Sequence, residues 1–254
     1  MNKITAIIIG IIILCFGGLV TLSILSSQSG SSSLDSYDTT SIILPTDSNG
    51  QIGDHVRGDA NSPVIFVEYA DFQCPGCASI YPKINTLFEE YGDRVAFVFR
   101  HFPLNGHQNS RAAASAAVAA SLQGHFFEMV DTLYSNQSVW SYASGAERTS
   151  IFTDLFQQVS INGDATKFRS DMSSPEVSKK ISFDYDLGFK KDKVTGTPSF
   201  FINGEYVDLS NSATSSDFLA TMREKLDIRL AEFNLPTGPV TDNSDSDSDS
   251  ETES

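Results

Sequence analysis

The sequence contains few cysteines, few tryptophans and few basic residues. Its 254 residues include three cysteines, one tryptophan and 17 lysines and arginines, against 32 aspartates and glutamates. The formal net charge of −15 argues against nucleic acid as a partner, because an average surface of this sign repels a phosphate backbone. A second cysteine pair is absent, and the four histidines do not form a ligand cluster by spacing, so we expect no metal site.

One long uncharged run stands at the N-terminus, from Ile4 to Leu25. It has about the 20 residues that a bilayer span needs, and no Ala-x-Ala cleavage site follows it. We therefore predict a membrane anchor over residues 1–25, with a cleaved signal peptide as the alternative. Lys3 precedes the run and Asp35 is the first charge after it, which favours a single-pass cell-membrane protein with an extracytoplasmic body.

Two further segments lack apolar periodicity. Residues 26–52 are rich in Ser, Thr, Gly and Asp and read as a flexible tether. Residues 236–254 follow Leu235 and end in a run of Ser and Asp without a basic residue. This composition predicts a disordered acidic tail.

The body begins near Gly53 with a strand–helix–strand pattern. The β-rich run Pro63 to Tyr69 precedes a cysteine pair, and the run Val95 to Arg100 is a second strand. Between them, apolar residues recur every three or four positions, at Ile80, Ile84, Leu87, Phe88 and Tyr91. This order predicts a parallel βαβ unit with a helix that starts at the cysteines.

The rest of the body alternates between helical and strand patterns. Residues 108–191 are helical in pattern, whereas Ser199 to Ile202 and Glu205 to Val207 read as strands joined by an Asn203-Gly204 type I′ turn. A last helix is predicted over about Ser216 to Phe233. We therefore assign residues 53–107 and 192–235 to one α/β domain, with residues 108–191 as a helical insertion.

The pair Cys74 and Cys77 carries the clearest chemical signal. With Cys74 at a helix N-cap and Pro75 at the first helical position, backbone N–H groups and the helix dipole point at the Cys74 sulfur. Both favour the thiolate, so Cys74 is expected to attack and Cys77, one turn along, to resolve a mixed disulfide. Zinc binding and a purely structural disulfide are the alternatives; the first needs about four ligands, and the second closes too short a loop to constrain the unfolded chain.

Two segments resemble a known family. Val67 to Cys77, reading Val-Glu-Tyr-Ala-Asp-Phe-Gln-Cys-Pro-Gly-Cys, resembles the active-site strand and helix of bacterial DsbA-like thiol-disulfide oxidoreductases of the thioredoxin superfamily. Gly196 to Gly204, reading Gly-Thr-Pro-Ser-Phe-Phe-Ile-Asn-Gly, resembles their cis-proline segment. The likeness covers about Gly53 to Phe233 and implies a thioredoxin-like fold with a helical insertion domain.

The resemblance also implies roles for individual residues. Cys74 would be the nucleophile, Cys77 the resolving thiol and Pro198 the cis-proline that faces them. Thr197 would offer its backbone to a client as an added strand, and Pro75 and Gly76 would contact the same client. Glu68 matches the family's acidic residue beneath the disulfide, where it could relay the proton of Cys77; an exposed strand-edge Glu68 is the alternative.

The function implied is protein thiol-disulfide exchange without a cofactor other than the Cys74–Cys77 disulfide. We expect a monomer that introduces disulfides into reduced or unfolded secreted proteins and is reoxidised by a membrane quinone-linked partner of the DsbB or vitamin-K-epoxide-reductase type. Strongly oxidising members often carry His where this chain has Gly76, so the potential is expected between about −270 and −120 mV. A reductase or isomerase of the same fold, or a binding or chaperone-like module, are the alternatives.

Overall fold

The computed structural model describes residues 34–209 and 215–239, which form a mixed five-stranded sheet flanked by helices. The sheet order is β1-β3-β2-β4-β5. The strands are β1 (His55–Gly58), β2 (Ile65–Ala70), β3 (Ala96–His101), β4 (Ser199–Ile202) and β5 (Glu205–Tyr206). This arrangement places β2, which leads into the cysteine pair, in the middle of the sheet.

Strands β2 and β3 confirm the predicted parallel βαβ unit. They pair in parallel, with Val67 opposite Val98 and Glu68 opposite Phe99. Their side chains are almost all buried because helices cover both faces of the sheet, which explains the continuous apolar runs in the sequence. The outer strand β1 pairs antiparallel with β3 and was not predicted, since its four residues alternate too briefly to give a signal.

The predicted hairpin after the second apolar segment is also confirmed. Strands β4 and β5 pair antiparallel across Asn203 and Gly204, whose φ angles of 48° and 79° are those of a type I′ turn. Strand β4 pairs antiparallel with β2, so that Phe200 lies opposite Glu68. The hairpin thereby brings the residues that precede it, including Pro198, to the end of β2.

Helices fill the interval between β3 and β4, as predicted for a helical insertion. The helices of the described chain are α1 (Pro75–Tyr91), α2 (Ser110–Ser121), α3 (Phe126–Ser135), α4 (Gln137–Trp140), α5 (Gly145–Val159), α6 (Ala165–Asp171), α7 (Pro175–Asp186) and α8 (Ser215–Glu232). A π-helical turn, Leu187–Lys191, continues α7. Helix α2 consists largely of buried alanines, and their small side chains let neighbouring helices approach closely.

Residues 34–52 correct the prediction of a flexible tether. Ile43 and Ile52 are buried, and the buried Arg100 donates hydrogen bonds to the carbonyl oxygens of Thr39 and Ser41 at 3.1 and 3.0 Å. Arg100 also pairs with the Asp54 carboxylate at 2.8 Å. The segment is thus fixed to the body by a buried cation, and the prediction is wrong for residues 34–52; residues 26–33 lie outside the described ranges.

The chain termini bear on two further predictions. Gly238 accepts a hydrogen bond from Arg94 and donates one to Asp227 at 2.7 Å, so the predicted disorder is wrong for residues 236–239. Residues 240–254 lie outside the described ranges, as does the predicted anchor over residues 1–25. Within the described ranges, no helix is long and apolar enough to cross a membrane.

Candidate active site

The active-site helix begins at the first cysteine. Cys74 is the N-cap residue of α1, with φ of −69° and ψ of 122°, and Pro75 occupies the first helical position. The missing N–H of proline costs nothing there, and its fixed φ suits the first turn. The helix therefore begins at Cys74, as the sequence predicted, and the backbone N–H groups of Gly76 and Cys77 act on the Cys74 sulfur.

A buried carboxylate shapes the short loop between β2 and α1. Asp71 accepts hydrogen bonds from the backbone N–H of Gln73 at 2.8 Å and of Leu104 at 2.9 Å. Its Oδ2 also lies 2.6 Å from Nδ1 of His107. The Asp71 carbonyl in turn accepts the Cys74 N–H at 3.1 Å. Asp71 thus ties the cysteine loop to the loop that follows β3, a role the sequence did not reveal.

The electrostatics around Cys74 favour its thiolate. The pKa of Cys74 is lowered to about 5, chiefly because the Cys77 thiol donates a hydrogen bond to its sulfur. Hydrogen bonding from Thr197 and from the backbone N–H groups of Cys77 and Gly76 acts in the same direction, against the desolvation that raises the pKa. At neutral pH Cys74 is therefore largely an anion, which is the nucleophilic form of a cysteine.

Cys77 has the opposite character. Its side chain is fully buried, and burial raises the pKa of Cys77 well above its ordinary value. The hydrogen bond to Cys74 and the charge of Glu68 raise it further. The two sulfurs are not joined by a disulfide in this structure. One thiol is thus poised to attack, and the other retains its proton until a base removes it.

The cis-proline segment lies against the start of α1. The Thr197–Pro198 peptide bond is cis, and the Thr197 carbonyl oxygen is 3.4 Å from the Cys74 sulfur. A Cβ atom placed on Gly76 would lie 3.4 Å from Pro198 Cδ and 3.5 Å from the same sulfur. Residues more than 120 positions apart in the chain therefore form one surface around Cys74.

Glu68 lies beneath this surface. Its side chain is only 4% exposed on the central strand β2, so the alternative of an exposed strand-edge position is wrong. The Oε1 atom has no hydrogen-bond partner among the described residues. Burial raises the pKa of Glu68 to about 7, although the positive charge of Arg57 opposes this shift. A carboxyl with such a pKa can both give and take a proton near neutral pH.

Helix α4 supports the active site from the insertion. The Gln137 side chain donates hydrogen bonds to the carbonyl oxygens of Phe72 and Cys74, at 2.7 and 3.1 Å. Three residues on, the buried Trp140 donates its indole N–H to the Leu133 carbonyl at 2.9 Å. Gln137 could not be predicted from the sequence, because its partners are backbone atoms that composition and periodicity do not identify.

Two of the histidines, His55 and His101, lie in the core. His55 and His101 are buried, and burial holds the pKa of each well below its ordinary value, so both are neutral. Their rings pack edge to face at 5.6 Å between centroids. Among the residues that the structure describes, no group of three or more His, Cys, Asp or Glu side chains is placed to hold a metal ion.

Comparison with known proteins identifies the relatives of this chain. The family model described as thioredoxin matches residues 50–221. An Na⁺/H⁺ antiporter of Salinispora tropica is 36% identical over 165 residues, and one of Salinispora arenicola is 32% identical over 195 residues. These alignments cover 64% and 74% of this chain but 23% and 28% of the antiporters. The chain thus spans about a quarter of the length of the curated relatives it matches.

Solved structures share the fold. The protein α-DsbA1 of Wolbachia pipientis superposes with a TM-score of 0.57 at 22% identity, over 75% of this chain and 97% of that one. DsbA of Pseudomonas aeruginosa superposes with a TM-score of 0.54 at 16% identity, over 70% and 89% of the two chains. At these identities the likeness is one of architecture, including the helical insertion between two parts of a thioredoxin-like sheet.

Proposed function

Because the chain belongs to the thioredoxin family, we propose that it is a DsbA-like thiol-disulfide oxidoreductase that works through Cys74 and Cys77. The observation that carries the proposal is the contrast between the two thiols. Cys74, at the helix start, has its pKa lowered to about 5, whereas burial raises the pKa of Cys77. Attack and resolution of a mixed disulfide require this division of roles.

The reaction begins from the Cys74–Cys77 disulfide. A thiolate of a reduced client attacks the Cys74 sulfur; the bond between the two cysteines breaks, and Cys77 leaves. Cys77 takes up a proton, and its proposed donor is Glu68, a buried acid whose charge acts on Cys77. A second client thiolate then attacks the client sulfur of the mixed disulfide, and Cys74 leaves as a stabilised thiolate. Two electrons pass from client to enzyme.

The client is expected to bind beside Pro198. Thr197 precedes the cis peptide bond, and its backbone would pair with an extended client segment as an added strand. Pro75 and Gly76, at the first turn of α1, would lie on the other side of the client cysteine. The position of Gly76 supports this assignment, because a Cβ atom placed on it would be within contact distance of both Pro198 and the Cys74 sulfur.

The direction proposed is oxidation of secreted proteins outside the cytosol. A thiolate stabilised in the reduced enzyme favours acceptance of electrons, which supports an oxidase over a reductase or isomerase. The cycle then needs a membrane quinone-linked partner, of the DsbB or vitamin-K-epoxide-reductase type, that removes the two electrons. An anchor in residues 1–25 would hold a monomeric enzyme beside such a partner.

The test is capture of mixed disulfides. In Cys77→Ser the Cys74 thiolate can still attack a disulfide of a secreted protein, with one client sulfur leaving as a thiolate, but no internal thiol can release the adduct. Such adducts should therefore accumulate and dissolve on reduction, and the matched variant Cys74→Ser should accumulate none. A total absence of adducts in Cys77→Ser would favour a binding or chaperone-like module. Equilibration with glutathione buffers gives the potential, and a value at or below about −270 mV, that of thioredoxin, would overturn the oxidase direction.

A further inference from the structure

An open groove on the helical insertion is lined by basic and hydroxyl side chains. Arg111 on α2 and Arg148 on α5 line it together with serines of α7 and of the turn before α7, and its volume is about 400 Å³. Among the residues that the structure describes, no aspartate or glutamate lines this groove. It is therefore a basic cavity in a chain whose formal net charge is −15.

Neither arginine has an acidic partner in the described parts of the chain. Arg111 donates hydrogen bonds to Ser182 Oγ at 2.6 Å and to the Ser178 carbonyl oxygen at 3.2 Å. Arg148 donates one to Asn109 Oδ1 at 2.6 Å. Carboxylates pair with four other arginines: Arg94, Arg100, Arg223 and Arg229. Two like charges that line one groove without a counter-ion repel each other, and an anion bound between them would offset this repulsion.

Several hydrogen-bond donors at the groove have no acceptor within the described ranges. The bonds of Arg111 all come from Nη2 and that of Arg148 comes from Nη1, so Nη1 of Arg111 and Nη2 of Arg148 are available. The Ser174 hydroxyl accepts a hydrogen bond from the Val177 N–H at 3.2 Å, and the Ser178 hydroxyl accepts one from Arg111 at 3.4 Å. Neither hydroxyl donates to a described residue, so both can donate to a ligand in the groove.

We propose that this groove binds an oxyanion of the phosphate type, held by the guanidinium groups of Arg111 and Arg148 and by the hydroxyls of Ser174 and Ser178. A guanidinium presents its N–H donors in a planar fork that fits two oxygens of a phosphate group. A phosphate also has more acceptor oxygens than a carboxylate, which suits donors from four side chains. The volume lies within the range of small-molecule sites, so the groove has room for inorganic phosphate and for a small phosphate ester.

Arg111 is the better of the two arginines to change. It is exposed, and its hydrogen bonds go to serines of α7 alone. Arg148, by contrast, holds Asn109, whose backbone N–H donates to Gln73 Oε1 at 2.7 Å. Because Gln73 directly precedes Cys74, a change at Arg148 would alter the cysteine loop as well as the groove.

The test compares Arg111→Gln with Arg169→Gln by isothermal titration calorimetry. The full chain is titrated with inorganic phosphate and, in a separate arm, with glycerol 3-phosphate, in a buffer free of other polyvalent anions. Binding to the unmodified protein should saturate, and Arg111→Gln should weaken it about tenfold or more, because a charge-assisted hydrogen bond is lost. Arg169→Gln, at an exposed position on α6, removes the same charge outside the groove and should leave the affinity unchanged.

Saturable binding of either probe that depends on Arg111 supports the proposal, and the tighter probe shows whether the site prefers the free oxyanion or its ester. Absence of saturable binding in both arms overturns it, as does an unchanged affinity in Arg111→Gln. Equal weakening in Arg111→Gln and Arg169→Gln also overturns it, because binding would then reflect overall charge. None of these results depends on exchange activity. Failure of the proposed function would instead appear as an absence of trapped adducts in Cys77→Ser.

Discussion

Gly76 lies where helix α1 and the cis-proline segment approach the Cys74 sulfur. A Cβ at this position would meet Pro198 Cδ and the sulfur at ordinary contact distances, 3.4 and 3.5 Å, so a side chain can be added. Gly76→His should place a partial positive charge beside the thiolate and stabilise the reduced enzyme. We expect the potential to rise by about 30 mV, equivalent to about 1.4 kcal/mol, in glutathione equilibration.

A neutral side chain is the control for this substitution. Gly76→Gln adds similar bulk without a titratable ring, so it separates charge from crowding. If Gly76→Gln raises the potential as much as Gly76→His, the effect is one of packing and the electrostatic interpretation of Cys74 loses its support.

The Cys77 thiol is the largest contributor to the lowered pKa of Cys74. Cys77→Ala removes this hydrogen-bond donor, and we expect the pKa of Cys74 to rise from about 5 toward its ordinary value. The measurement is the pH dependence of iodoacetamide alkylation. Cys77→Ser keeps a donor at the same position, so its profile should stay closer to that of the unmodified protein; identical profiles in the two variants would contradict the assignment.

At the scale of elements, Arg100 on β3 joins the N-terminal segment to the sheet. It is fully buried and bonds to Asp54 and to two carbonyl oxygens of residues 39–41. Arg100→Met would leave Asp54 buried with less compensation, and loss of one partner of a buried ion pair costs about 3–5 kcal/mol. Urea unfolding should show this decrease in the free energy of unfolding.

Arg111 on α2 provides the control for the Arg100→Met substitution. Its hydrogen bonds, to Ser178 and Ser182, are exposed. Arg111→Met should therefore change the free energy of unfolding by less than about 1 kcal/mol. An equally small change in Arg100→Met would show that the N-terminal segment does not depend on the buried cation.

The elements that were predicted correctly have local signals. Helical periodicity predicts α1, continuous β-rich apolar runs predict β2 and β3, and Asn203-Gly204 marks the hairpin. Strand β1 was missed because its four residues alternate too briefly to give a signal. The packing of residues 34–52 was missed because it depends on pairing between Asp54 and Arg100, 46 positions apart, and a polar segment bound by one distant cation resembles a tether in composition.

Some residues of the candidate site could likewise be predicted from the sequence, and others could not. Cys74 at the N-cap follows from the strand–Cys–Pro order, and Glu68 was predicted from the family resemblance. The contributions of Asp71 and Gln137 could not be predicted. Asp71 bonds to the backbone of the loop after β3, and Gln137 bonds to backbone carbonyls of the cysteine loop. Hydrogen bonds to backbone atoms of distant residues cannot be recognised from the amino-acid sequence.

At the scale of the whole molecule, Glu68 links stability to pH. The pKa of Glu68 rises from its ordinary value of 4.5 to about 7 in the folded protein. As the pH rises, the unfolded chain therefore loses this proton before the folded protein does. Stability is consequently lost as the pH rises from about 4.5 to about 7. Glu68→Gln has no carboxyl to titrate and so avoids this loss. Between pH 4 and pH 8, its free energy of unfolding relative to that of the unmodified protein should increase by on the order of 3 kcal/mol.

Urea midpoints at several pH values measure this difference. Taking the difference between the two proteins cancels other titrating groups, among them Asp184, whose pKa burial raises to about 6. Glu128→Gln, at an exposed position on α3, should show no such pH-dependent gain. If the difference in free energy of unfolding between Glu68→Gln and the unmodified protein is the same at every pH, Glu68 has the same pKa in the folded and unfolded states.

The position of Trp140 has a practical consequence. It is the sole tryptophan of the chain and lies fully buried on the four-residue helix whose first residue bonds to the Cys74 carbonyl. Any shift of the cysteine loop between its dithiol and disulfide forms is transmitted to the indole through that one turn. The emission spectrum of the unlabelled protein should therefore follow electron transfer in real time, with no dye and no coupled assay.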